Sequence, residues 1–136
     1  QIGNNCFNHH RESNNQEDGQ FQLIDCPHLI TVTIGGDSFQ DYSSINVISE
    51  LDNSSHSLDC PRLQVFLLLD SSEYSFKYVS NLSFHHLPSL QKIVFGVSSF
   101  PNASLTLQSN NLLRECVISD KCFCRANGSL VISGIF

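Results

Sequence analysis

The sequence predicts a mainly β fold in which the chain winds as stacked coils carrying two parallel strand ladders. Three observations predict it. An apolar residue recurs five positions before a Phe, an alternating apolar tripeptide follows each Phe, and similar Pro-containing linkers separate the copies.

The first observation defines the leading strand of each copy. Cys6-Phe7, Ser38-Phe39, Ser99-Phe100 and Cys122-Phe123 each follow an apolar residue by the same spacing, from Ile2, Ile34, Phe95 and Ile118. In the third copy Leu68 takes the apolar place while Tyr74 and Phe76 compete for the aromatic one, which implies an insertion within Asp70 to Ser75. Gly3, Gly35, Gly96 and Ser119 follow the apolar residue, and a small residue there suits a backbone turning away from a strand. Stacked on one another, Phe7, Phe39, Phe76, Phe100 and Phe123 are expected to form a core spine.

The second observation defines the following strand. Phe21-Gln-Leu23, Ile45-Asn-Val47, Leu82-Ser-Phe84, Leu105-Thr-Leu107 and Leu130-Val-Ile132 alternate with period two between Ser, Asn and Gly, and no stretch carries a long helical period. The linkers Asp25-Cys26-Pro27-His28-Leu29, Asp59-Cys60-Pro61-Arg62-Leu63 and His86-Leu87-Pro88-Ser89-Leu90 then reset the chain, each Pro ending one strand. The polar segments Asn8 to Gln20 and Ser49 to Ser57 read as surface loops and account for uneven copy lengths. Residues 1–136 are read as one domain of about five coils. A single coil cannot bury its apolar face, so the stack is cooperative and its ends need covers. Neither end of the sequence carries a polar capping element, and the chain is expected to be a mature product or an excerpt.

Composition narrows the function. The net charge is -6 with no Lys/Arg cluster, which leaves nothing to neutralise a phosphate backbone, so nucleic acid is not an expected partner. No apolar run approaches the roughly 20 residues a membrane helix needs. Six Cys and four sequons, at Asn53, Asn81, Asn102 and Asn127, point to an extracellular, N-glycosylated protein, secreted or on a cell surface. Asn102 and Asn127 share a phase, three residues before Leu105 and Leu130, and are expected to place sugars in a column along one corner.

Cys26 and Cys60 share the Asp-Cys-Pro phase, and equivalent positions on neighbouring parallel strands lie about 4.8 Å apart, so a Cys26–Cys60 bridge is expected. A buried Cys ladder is the alternative. Cys116 and Cys124 are the local pair expected in the last coil, and Cys6 has no evident partner within the chain. The adjacent histidines His9-His10 and His85-His86 read as polar surface, since neighbours in a strand face opposite ways and no ligand spacing accompanies them. No G-x-S-x-G, reactive Cys motif or paired carboxylates appear, so neither catalysis, cofactor nor metal is expected.

The pattern resembles leucine-rich repeats of the BspA-like subfamily, whose unit of roughly 23 residues runs from a strand through an I-G-x-x-[A/S]-F step. Ser104 to Phe123 matches most clearly: Leu105 and Leu107 form one strand, Leu113, Cys116 and Ile118 the next, and Cys122-Phe123 the aromatic step. The Asn ladder of ordinary leucine-rich repeats is missing as a regular feature. The resemblance implies a leucine-rich-repeat-like solenoid that binds a protein or glycan partner. Self-association through uncapped ends into an extracellular filament is the alternative.

Overall fold

The computed structural model describes residues 1, 3, 6, 19–23, 26–40, 42–48, 60–124 and 130–133. The nine strands are β1 (Gly19–Leu23), β2 (Thr31–Ile34), β3 (Tyr42–Ile48), β4 (Val65–Leu68), β5 (Asn81–His85), β6 (Lys92–Phe95), β7 (Ser104–Gln108), β8 (Glu115–Ile118) and β9 (Leu130–Ser133), with no helix among the described residues. They form two parallel sheets, a five-stranded one in the order β1-β3-β5-β7-β9 and a four-stranded one in the order β2-β4-β6-β8. The chain therefore alternates between sheets, and each strand from β3 onward pairs with the one two elements earlier. We call an even-numbered strand, its aromatic corner and the next odd-numbered strand a tier.

Register follows the sequence alternation. Val32, Phe66, Ile93 and Cys116 lie opposite one another across the four-stranded sheet, as do Ile34, Leu68, Phe95 and Ile118. Across the five-stranded sheet the matching rows are Phe21, Ile45, Leu82, Leu105 and Leu130, then Leu23, Val47, Phe84, Leu107 and Ile132. In the middle tiers these residues are sealed: Phe66, Leu82, Phe84, Ile93 and Phe95 have no exposed surface. Shifting any strand by one residue would swap this apolar set for its polar neighbours, so burial fixes the register.

Both kinds of corner repeat from tier to tier. Where the chain returns to the four-stranded sheet, Leu29, Leu63, Leu90 and Leu113 donate their amides to the carbonyls of Cys26, Cys60, Leu87 and Asn110. Pro27, Pro61 and Pro88 occupy the second position of three of these turns, where a ring-locked φ is already correct. At the opposite corner sits the expected spine. Phe39 stacks on Phe76 at 4.9 Å, Phe76 on Phe100 at 4.9 Å and Phe100 on Phe123 at 5.9 Å, with planes within 14° of parallel. Phe7 lies outside the described residues.

All four of these Phe residues have φ between 50° and 56°, the left-handed region that normally selects Gly. The Cβ clash there costs about 1–2 kcal/mol per residue. It is offset by burial and stacking of each ring and by a backbone ladder, in which the amides of Phe39, Phe76 and Phe100 donate to the carbonyls of Cys6, Ser38 and Ser75 in the tier before.

The tier of β4 and β5, the third copy in the sequence, departs as expected, and the structure sizes the departure. Phe76 rather than Tyr74 enters the column, eight residues after Leu68 instead of five, so the insertion is three residues long. The inserted backbone wedges between two glycines. A Cβ on Gly36 would lie 2.0 Å from the Asp70 carbonyl oxygen, and one on Gly96 would lie 2.5 Å from the Asp70 nitrogen. Most of the two polar loops expected from the sequence lies outside the described residues, but Gly19 and Gln20 already belong to β1, which therefore starts two residues before Phe21.

Candidate functional site

Alternation along the strands gives the two sheets different outer surfaces. On the four-stranded sheet the outward row is Thr33, Leu67, Val94 and Val117, extended past β4 by Leu69, which is 44% exposed. Outside the five-stranded sheet, Gln22, Ser83 and Thr106 share one row, and His85 and Gln108 another. The four-stranded sheet thus shows a mainly apolar row beside a second outward row, Thr31, Val65, Lys92 and Glu115, in which Lys92 and Glu115 pair at 2.8 Å, while the mainly polar row of the other sheet ends in exposed Val131.

A third surface lies at the far edge of both sheets. Ile118 is 42%, Leu130 55% and Ile132 51% exposed, although their register partners Phe95, Leu105 and Leu107 are buried. These are core-phase side chains with no strand beyond them among the described residues, and the outer edges of β8 and β9 carry backbone groups that no described strand pairs.

Buried polar side chains fix one tier to the next. Asn110 has no exposed surface; its Nδ2 donates to the Phe84 carbonyl at 2.9 Å and its Oδ1 accepts from the Leu87 amide at 3.1 Å. Cys60 makes one of these two contacts at the equivalent turn position, its Sγ donating to the Leu23 carbonyl at 3.9 Å. Leu23 and Phe84 share a register row, so Cys60 and Asn110 are members of one ladder. The ladder is not a regular feature, as the sequence implies, because Leu87 holds the same turn position between them without a polar side chain.

At the site of the expected Cys26–Cys60 bridge, Cys60 Sγ lies 3.9 Å from the Leu23 carbonyl oxygen. Cys116 and Cys124 are the other expected pair. Both are exposed thiols, Cys116 standing in β8 opposite Ile93 and Cys124 lying beyond the aromatic corner. Cys122 donates to the Gly96 carbonyl at 3.1 Å, and burial pushes its thiol above the ordinary range. Ser38 makes the matching bond to the Gly3 carbonyl at 3.1 Å. Ser75, in the same phase next to the insertion, is buried with no hydrogen-bond partner for its Oγ.

Asp37 ties the insertion to the tier before it. Its carboxylate accepts from Ser71 Oγ, from Ser72 Oγ at 2.9 Å and from the Glu73 amide at 2.8 Å. Burial alone would raise its pKa, but these three donors outweigh burial and hold it below the usual 3.8. Asp70 accepts from the Val97 amide at 2.8 Å on the other side.

Two of the four sequons lie among the described residues. Asn81 is exposed at the head of β5, and its Nδ2 donates to Ser80 Oγ at 3.3 Å. Asn102 is half-buried, and its Nδ2 donates to the Lys77 carbonyl at 2.7 Å. Asn53 and Asn127 lie outside the described residues, so the sugar column expected on Asn102 and Asn127 has only one member that can be placed. His85 and His86 are half-buried at the end of β5, while His9 and His10 are outside. No group of three or more His, Cys, Asp or Glu side chains among the described residues is placed to hold a metal ion. No helix among them is long and apolar enough to cross a membrane.

The chain is thus known by its own geometry: no family model, curated protein or solved structure matches it.

Proposed function

We propose that the chain is a leucine-rich-repeat-like solenoid acting outside the cell as a non-catalytic module for protein recognition. The observation that carries this reading is the contrast between the two outer faces. Leu67, Val94 and Val117 continue from Thr33 as a mainly apolar row on the four-stranded sheet, flanked by the Lys92–Glu115 ion pair, whereas the five-stranded sheet presents Gln22, Ser83 and Thr106. Parallel strands at a spacing of about 4.8 Å hold such side chains in fixed ranks, which suits an extended apolar contact with another protein. The even number of Cys and the four sequons support an extracellular setting.

The test compares faces. Labelled protein is applied to intact cells and to extracellular matrix. Binding is expected to disappear when Leu67 and Val94 become Glu and to persist when Gln22 and Thr106 do. Equal binding by both variants, with both folded, would remove the recognition reading.

The exposed core-phase residues of β8 and β9 favour a second reading, in which another tier of the same kind covers this edge, supplied by more of the same polypeptide or by a second copy. Light scattering across a concentration series separates it from the first. Growth into fibres that Ile132→Lys abolishes is expected from head-to-tail assembly, and a concentration-independent monomer rules that assembly out.

A further inference from the structure

We propose that, of the two sequons placed by the structure, Asn81 carries a glycan and Asn102 does not, because the Asn102 amide serves as a staple between tiers. This rests on the extracellular reading above. An N-linked sugar is attached at Nδ2 in place of one amide hydrogen, so the surroundings of that nitrogen in the folded protein decide whether a sugar is compatible with the fold.

At Asn102 the nitrogen turns inward. It donates to the Lys77 carbonyl at 2.7 Å, across the corner that follows the stacked Phe76 and Phe100. The residue is half-buried, and its neighbour Ala103, within the sequon itself, has no exposed surface. This bond ties the turn that Ala103 closes onto Phe100, which holds Asn102, to the turn that Val79 closes onto Phe76, which holds the Lys77 carbonyl. A bulky substituent on the same nitrogen must either break that bond or push the two corners apart.

At Asn81 the nitrogen turns outward. The side chain is exposed, its Nδ2 contact is a 3.3 Å bond to the neighbouring Ser80 hydroxyl, and among the described residues it makes no bond to another tier. Asn81 also has the same parity as Ser83 and His85, so it projects from the polar face of the five-stranded sheet. A sugar there shields a hydrophilic surface and leaves the mainly apolar row of Thr33, Leu67, Val94 and Val117 open on the other sheet.

The experiment directs the chain through the secretory pathway of cultured eukaryotic cells with an added signal peptide, then maps occupancy by mass spectrometry after enzymatic deglycosylation in heavy-oxygen water. Asn81 is expected to carry the label in most secreted molecules and Asn102 in almost none. Asn81→Gln should remove one glycan. Asn102→Gln should leave the glycan complement unchanged while lowering the thermal midpoint and the secreted yield. Occupied Asn102 in folded, secreted protein overturns the proposal, and so does an empty Asn81. Because the signal peptide forces entry, these outcomes concern acceptor choice; the native protein isolated from its own cells, sugar-free at all four sequons, would instead overturn the extracellular reading.

Discussion

The tier of β6 and β7 and the tier of β8 and β9 carry nearly the same pattern, yet one is sealed and the other open. Phe95 has no exposed surface while its register partner Ile118 is 42% exposed; Leu105 is 1% exposed and its partner Leu130 55%. Intrinsic hydrophobicity does not separate them. What does is the number of neighbours: among the described residues the inner tier is covered on both sides, and the outer tier leans on one. Sequence phase thus decides which side chains point into the core, and stacking decides whether pointing inward amounts to burial. Side chains of the same type should therefore differ in stability cost according to tier.

The largest expected effect comes from the aromatic column. Phe100→Ala removes a ring stacked between Phe76 and Phe123 and should cost about 3–5 kcal/mol, whereas Phe123→Ala, stacked on one face among the described residues, should cost about half as much. Urea denaturation of both variants measures the ratio, and equal costs would break the comparison. Next in size is Gly96→Ala. A methyl there meets the Asp70 backbone at 2.5 Å, and overpacking against backbone should cost about 2–3 kcal/mol. Ser119 occupies the corresponding place after Ile118 in the outer tier, and Ser119→Ala should be nearly neutral by the same measurement.

Asn110→Ala comes third. It strands the Leu87 amide and the Phe84 carbonyl inside the inner tier, which should cost about 2 kcal/mol, and Asn110→Cys should restore part of that because Cys60 makes one of these two contacts two tiers earlier. Failure of Cys to rescue would show that the two positions are not equivalent.

The strand positions and most of the Phe spine were legible from the sequence because alternation survives in every tier and the five-residue spacing in all but the tier of β4 and β5. The ladder of Cys60 and Asn110 was not, since a donor's role depends on a carbonyl roughly 26 or 37 residues away in another tier, and no local pattern says that Cys and Asn are interchangeable there. The inserted aromatic was ambiguous for a different reason: Tyr74 and Phe76 are both plausible column members until the wedge between Gly36 and Gly96 sets the insertion length. Likewise Asn81 and Asn102 are identical as motifs and differ in which way the amide turns. For the same reason the two outer faces could be read only once register was known.

Asp37 predicts a smaller, pH-dependent effect. Its pKa is lower folded than unfolded, so its stabilisation is present above the ordinary 3.8 and is lost as pH falls through the folded value. Asp37→Asn keeps a side chain that tolerates φ 57° but removes the charge; it should cost at most about 1 kcal/mol at neutral pH and make the acid limb of a stability profile shallower. An unchanged acid limb would mean that Ser71, Ser72 and Glu73 do not hold the charged form.

The smallest effect should come from Ile132→Thr. Ile132 sits in the same row as Leu107 and Phe84, where such a change would bury a hydroxyl and remove apolar contacts. At 51% exposure it retains about half its surface in water already, Thr keeps the β-branched shape suited to a strand, and the expected cost is below about 0.5 kcal/mol. The same substitution reports on covering of the edge. In protein that self-associates through β8 and β9, Ile132→Thr should weaken association while leaving the unfolding midpoint of dilute monomer unchanged. A cost comparable to that of Leu107→Ala in dilute solution would mean that something covers this edge even in the monomer, and the difference between the inner and outer tiers would then lie in the sequence rather than in stacking.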